Sequence, residues 1–236
     1  QRSAEALEQM VPEEQAIILE AIGTKERAAI LSNMGFYQAS YSLSRLGPRE
    51  CAATLRLLEG GGGRSERRDE LLKGILNEIP DKLRFAVLQE CPINFRVRAL
   101  TMIDAFAVSA FLDHLDPTEA ASIVKSMPNS MADEAIEGMS LESKVSVITC
   151  LDTHGACRVM GALSAREVGD ILLRLPTDTC CAILKHLHDE HLHNAFSNME
   201  KEGREKLLTE LPEKLQTRIS HTILNAQSLS EEFVSD

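Results

Sequence analysis

Prolines and aliphatic residues recur along this chain on a beat of twelve. Asp152 to Leu163 (DTHGACRVMGAL), Ser164 to Leu175 (SAREVGDILLRL) and Pro176 to Leu187 (PTDTCCAILKHL) show the unit, a polar or proline start followed by an aliphatic end. The frame runs unbroken from Arg68 to Ile223, which makes thirteen blocks, and from Val11 to Leu58, which makes four more. Position 12 is apolar in all seventeen blocks. Position 9 is apolar in sixteen, with Ser220 the exception, and position 8 in fifteen, with Ser42 and Thr54 the exceptions. Position 5 is mixed. Positions 5, 8, 9 and 12 are i, i+3, i+4 and i+7, one stripe along an α-helix. Each block is therefore expected to be one short amphipathic helix.

The seams fall at positions 1 and 2, which hold all eight prolines (12, 48, 80, 92, 117, 128, 176 and 212). Proline suits a helix start, because its missing N–H has no intrahelical partner there. Gly23, Gly35 and Gly47 share the slot and are expected to leave the preceding helix with positive φ. Asp116, Ser140, Asp152 and Ser164 also sit there and can cap the next helix. Helices of eight or nine residues rise only ~13 Å and are unstable alone. They must bury their stripes against one another, and three-residue turns favour antiparallel hairpins of two blocks, stacked on one continuous core. With no Trp, two Tyr and seven Phe, that core is aliphatic. Charged residues at positions 5 and 6, such as Lys144, Arg204 and Glu205, are expected at the edge of the stripe.

The beat slips once, at EGGGGRSER between Leu58 and Arg68. Four consecutive glycines predict a flexible loop or hinge. The organisation expected is N-terminal repeats over 1–58, a glycine-rich loop over 59–67, the main array over 68–223 and an acidic tail over 224–236. Arg64, Arg67 and Arg68 form one small basic cluster beside the glycines, suited to an acidic partner, to lipid headgroups or simply to solvation.

DPTEAASIVKSMP (Asp116 to Pro128) and SAREVGDILLRLP (Ser164 to Pro176) resemble the repeated Leu-x-Pro-x-x-Ala-x-x-Leu-x-x-Leu-Pro units of the intracellular N-terminal domain of MgtE-type magnesium transporters. The middle domain of the flagellar switch protein FliG is similar in plan. The resemblance implies a superhelix of short helices and a response to Mg²⁺ through carboxylates facing another domain. No carboxylate of this chain matches those positions residue by residue. The fold expected is all-α, a right-handed superhelical α-solenoid of about seventeen 12-residue repeats paired as antiparallel hairpins.

Chemistry is sparse. The densest cluster is Cys180, Cys181, His186, His188, His191 and His193, with Asp189 and Glu190 between. His188 and His191, spaced i, i+3, are the candidate metal ligands, while the alternative reading is a polar, solvated turn. The frame places Cys180 and Cys181 on the buried side of their helix. Six cysteines without a Cys-x-x-Cys pair argue against a zinc ribbon or thioredoxin-type site and suit buried thiols in a reducing compartment, cytoplasm or an organelle interior. No nucleophile elbow, phosphate loop or separated carboxylate pair is present, so no catalytic residue and no cofactor is expected. No apolar run is long enough to span a bilayer. A net charge of −11 argues against a broad nucleic-acid face. The function expected is a non-catalytic helical-repeat scaffold that binds protein partners in a larger assembly, and the alternative is an Mg²⁺-responsive regulatory domain of the MgtE type.

Overall fold

A computed structural model describes residues 6–7, 9–60 and 66–232, with side chains described as far as Leu224. Seventeen helices fill the described residues, and no strand is present among them. One helix falls in each twelve-residue block. The chain packs as two compact units, Gln1–Phe111 and Leu112–Asp236.

The first unit contains α1 (Pro12–Ala21), α2 (Thr24–Leu31), α3 (Phe36–Ser44), α4 (Pro48–Gly60), α5 (Glu66–Glu78), α6 (Asp81–Gln89), α7 (Ile93–Leu100) and most of α8 (Ala105–Asp113). Its closest packing joins helices two apart: α1 with α3, α2 with α4, α3 with α5, and α4 with α6. The predicted glycine loop is shorter than 59–67, because α4 runs to Gly60 and α5 starts at Glu66. Residues 61–65, which carry the rest of that expectation and Arg64, lie outside the described residues. The helices on both sides of the run, α4 and α5, pack against each other within this unit.

The second unit contains α9 (Pro117–Ser126), α10 (Asn129–Glu137), α11 (Leu141–Cys150), α12 (Thr153–Ala162), α13 (Ala165–Leu172), α14 (Thr177–His186), α15 (Asp189–Asn198), α16 (Lys201–Glu210) and α17 (Glu213–Glu232). Again helices two apart pack most closely, as in α9 with α11, α12 with α14, α13 with α15, and α15 with α17. The last helix runs on through the predicted tail to Glu232.

The periodic columns are the core. Leu19, Leu31, Leu43, Leu55, Leu76 and Leu88 at position 9 are fully buried in the first unit, as are Ile148, Met160, Leu184 and Phe196 in the second. Each such side chain contributes about 1.5–3 kcal/mol by leaving water. The two polar exceptions at position 8 are buried as well. Thr54 is accommodated because its hydroxyl donates to the Glu50 carbonyl (2.7 Å) and accepts from Arg27 (3.3 Å).

All eight prolines mark helix starts. Pro12, Pro48 and Pro117 are first helical residues, Pro80, Pro92, Pro128 and Pro176 are N-caps, and Pro212 immediately precedes α17. Asp116, Ser140, Asp152 and Ser164 all accept a backbone N–H of the helix they open, and Ser164 with Glu167 forms a reciprocal capping box. The glycine expectation is corrected. Gly23 and Gly35 are N-caps with φ of −65° and −69°, ordinary extended backbone. The side chain three residues on folds back over each glycine. A Cβ there would stand 2.5 Å from the Glu26 carboxylate, 2.6 Å from the Gln38 amide oxygen or, at Gly47, 2.7 Å from the Glu50 carboxylate.

Position 5 is corrected too. Lys144 is only 4% exposed, not at an edge. Its Nζ donates to the Glu137 carbonyl (2.9 Å) and to Glu167 Oε1 (2.5 Å). Seven blocks carry a long polar residue at this position, and each reaches back to the end of the preceding segment. Gln15 donates to Met10 O, Arg27 to Leu19 and Ile22 O, Arg84 to Ile79 O, Arg96 to Cys91 O, Arg204 to Phe196 O and Gln216 to Leu211 O. Helix C-termini leave carbonyls without intrahelical partners and carry partial negative charge, so a cation or amide placed there satisfies both needs. Arg204 is half-buried, and Glu205, at position 6, is exposed as expected.

Candidate functional site

The predicted histidine cluster lies in the second unit at the seam between α14 and α15. Helix α14 ends at His186 and Leu187 turns the chain. His188 is the N-cap of α15, in extended backbone and without a side-chain cap bond. The sequence favours this break twice over. His186 and Lys185 sit in the last turn of one helix, and Asp189 and Glu190 in the first turn of the next, each with the sign the helix dipole prefers. Arg218 of α17 then clamps the seam, donating to the carbonyls of Leu184 (2.7 Å), Lys185 (3.1 Å) and Leu187 (2.9 Å) and to Asp189 Oδ1 (2.6 Å).

An open groove of about 710 Å³ runs between this seam and α12. His186, Leu187, His188 and His191 line one side, and His154, Cys157, Arg158 and Gly161 the other. The rings of His188 and His191 stand 6.4 Å apart between centroids. Gly161 makes room for the latter, since a Cβ there would come within 3.4 Å of His191 Nε2. Arg158 is held away by an ion pair with Asp133 (2.6 Å).

The structure brings together three of the predicted residues, His186, His188 and His191. It leaves Cys180, Cys181 and His193 out of the groove lining. Cys180 is buried, and desolvation pushes its thiol up to about 12. His193 Nδ1 is buried without a hydrogen-bond partner. His154 and Cys157 were not predicted. The available signal was the packing step: α12 and α14 are two blocks apart, which is the spacing at which helices of this unit pack most closely.

Cys157 Sγ donates to the Ile183 carbonyl (3.6 Å), and burial raises its pKa above the ordinary thiol value. A thiol in that state is a poor nucleophile. Among the described residues no three His, Cys, Asp or Glu side chains converge in a way that could hold a metal ion. His188 and His191 are thus a pair without a third protein ligand there. The groove is a wide, open surface lined by four imidazoles, those of His154, His186, His188 and His191.

Residues 79–167 match the MgtE intracellular N domain family. The matched stretch runs from Ile79 to Glu167, covers α6 to α12, and contains the Asp116–Pro128 motif in full. This part of the chain is similar to that domain in sequence and, like the rest of the described chain, is built of short helices. His186, His188 and His191 lie beyond the match, so the likeness assigns them no role. Neither the curated proteins nor the solved structures compared give any match. No helix among the described residues is long and apolar enough to cross a membrane.

Proposed function

We propose that the protein is a non-catalytic helical-repeat interaction module that binds a protein partner within a larger assembly. The observation that carries this reading is the division of labour in each block. Among the described residues the stripe at positions 8, 9 and 12 is largely consumed by neighbouring helices, and the opposite helix faces carry the exposed side chains. In this reading the repeats of each unit wind as a right-handed superhelical solenoid of stacked antiparallel hairpins, which exposes much surface for its mass. Ile17 (66% exposed), Tyr37 (63%) and Phe106 (82%) are large apolar side chains on that outer surface of the first unit. Cross-linking of the native protein followed by mass spectrometry tests the proposal. A stoichiometric protein partner supports it, and a monomer with no cross-linked partner contradicts it.

The match to the MgtE domain favours a second reading, a domain that responds to divalent cations. Millimolar Mg²⁺ would then raise the melting temperature beyond the effect of monovalent salt at equal ionic strength, because a ligand that binds only the folded state stabilises it. Equal effects of the two salts would remove this reading.

A further inference from the structure

The chain is acidic overall, yet one groove of the first unit carries three cations that lack an ion pair among the described residues, beside the carboxylates Glu26 and Glu59. Two hollows, of about 790 and about 340 Å³, meet along α2 and α4 and share Lys25 and Leu57. The larger is walled by Ala53, Leu57, Pro92 and Phe95, and the smaller by Ala28, Ala29 and Leu58. Lys25 on α2, Arg56 on α4 and Arg68 on α5 line this joined surface, and none of them has an ion pair among the described residues. Arg68 Nη1 is buried there without any hydrogen-bond partner. Of the two carboxylates in the lining, Glu59 is engaged elsewhere and Glu26 is turned toward the preceding seam. Glu59 pairs with Arg98 (2.7 Å), which also holds Asp69, and Glu26 is folded back over Gly23.

We propose that this groove docks an acidic amphipathic peptide segment of a partner protein. Carboxylates of the segment pair with Lys25, Arg56 and Arg68, and its aliphatic side chains fill the hollows against Leu57 and Pro92. The cations come from three helices and are spread along two connected hollows, which suits charges distributed along a peptide and not one phosphate group. The buried Arg68 Nη1 lies below the reach of a flat lipid surface. Apolar walls between the charges supply the desolvation that makes such pairs hold. The proposal rests on the interaction-module reading and names the chemistry of its partner.

The test is fluorescence anisotropy with the full chain and a labelled peptide of about fifteen residues built from Glu and Leu at helical spacing. Saturable micromolar binding is expected. K25E/R56E, which alters two exposed side chains, is expected to weaken it at least ten-fold with an unchanged circular dichroism spectrum, and R68Q to weaken it about three-fold. A peptide with Ser in place of Leu is expected to bind at least ten-fold more weakly. Absence of saturable binding, or binding that K25E/R56E leaves unchanged, would overturn the proposal. So would phosphatidylserine vesicles or inorganic phosphate engaging these residues while the peptide does not. If cross-linking still finds a partner whose capture K25E/R56E leaves intact, the groove assignment fails and the interaction-module reading survives.

Discussion

The two units keep the same twelve-residue beat, but side chains cap more of the helix starts described in the second than in the first. In the first unit the N-caps Val11, Gly23, Gly35, Pro80 and Pro92 make no side-chain cap bond, and Asp104, before α8, accepts from Ala107 N–H (2.9 Å). In the second, Asp116, Ser140, Asp152 and Ser164 do, while Pro128, Pro176, His188 and Glu200 do not. The backbone is nearly the same at both kinds of seam: φ/ψ is −65°/155° at Gly23 and −69°/150° at Gly35, against −63°/151° at Ser140 and −63°/150° at Ser164. The conformation therefore does not demand glycine. In the first unit buried Arg27 and Arg84 instead bracket the carbonyls at the end of the preceding helix. The second adds local caps and a buried lysine. The beat sets where helices break, and the chemistry at the seam sets how firmly each one starts.

The core should not distinguish the units. Leu43→Ala in the first and Leu172→Ala in the second both remove a fully buried position-9 side chain, and each should cost about 2–5 kcal/mol in denaturant titration. A several-fold difference between them would mean that one unit's stripe is not its core.

The brackets come next. Arg27→Ala strands four acceptors, Leu19 O, Glu20 O, Ile22 O and Thr54 Oγ1, and Lys144→Ala strands Glu137 O and leaves Glu167 only its Ser164 bonds. Each should cost about 2–4 kcal/mol, because a partly buried group is left unpaired. Arg174→Ala, which breaks only the exposed pair with Glu142, should cost less than about 1 kcal/mol.

Smaller effects separate the units directly. Ser164→Ala and Asp152→Ala should each lose about 1 kcal/mol. Gly23→Ser and Gly35→Ser should gain about 0.5–1 kcal/mol, since the backbone already suits serine and the clashing Glu26 and Gln38 side chains can swing aside. A loss at either glycine would show that the folded-back side chain, not the missing cap, is what matters there.

The smallest effect is on pH dependence. Burial alone would raise the Glu167 pKa. The Lys144 and Ser164 hydrogen bonds and the Lys144 charge outweigh it and hold the carboxyl below the ordinary value of 4.5. A carboxyl depressed in the folded state stabilises the protein fully above its unfolded pKa, and that stabilisation is lost as pH falls through the folded pKa. Glu167→Gln should therefore be less stable than the parent at pH 7, and the gap should close as the solution is acidified below about 4.5. A gap that persists at acid pH would mean the charge is not responsible.

Thiol chemistry offers an independent reading of the core. Desolvation by burial pushes Cys51 and Cys180 up to about 12 and Cys91 to about 11, whereas Cys150 is exposed. At pH 8 an aromatic disulfide reagent should label Cys150 first and leave those three intact until the chain unfolds.

Most of the fold was legible because it is written as a period. Position 12 and the prolines alone place every helix to within a few residues, since a stripe that must be buried and a residue that cannot donate an N–H leave little freedom. The charges at position 5 were expected at the edge of the stripe, and Lys144 is buried. Position 5 holds either an apolar residue, such as Ala39, Ala132 or Val168, or a side chain long enough to reach a carbonyl, such as Arg27, Arg84 or Lys144. Which helix end such a residue caps depends on the turn between blocks, which the column count does not contain. His154 and Cys157 were missed for a similar reason, because the groove forms across a step of two blocks. The groove needed the knowledge that Arg98 engages Glu59 while Lys25, Arg56 and Arg68 come together unpaired, and no sequence pattern carries that.

Residue-resolved hydrogen exchange measures the central claim most directly. Slow exchange should recur every twelve residues, with fast amides at the seams of α2 and α3 and protected first-turn amides at Thr118, Ser143, Gly155 and Glu167, where side chains cap them. Protection running unbroken through the seams at Pro128 and Pro176, or first-turn amides equally fast at the side-chain-capped and the uncapped seams, would contradict it.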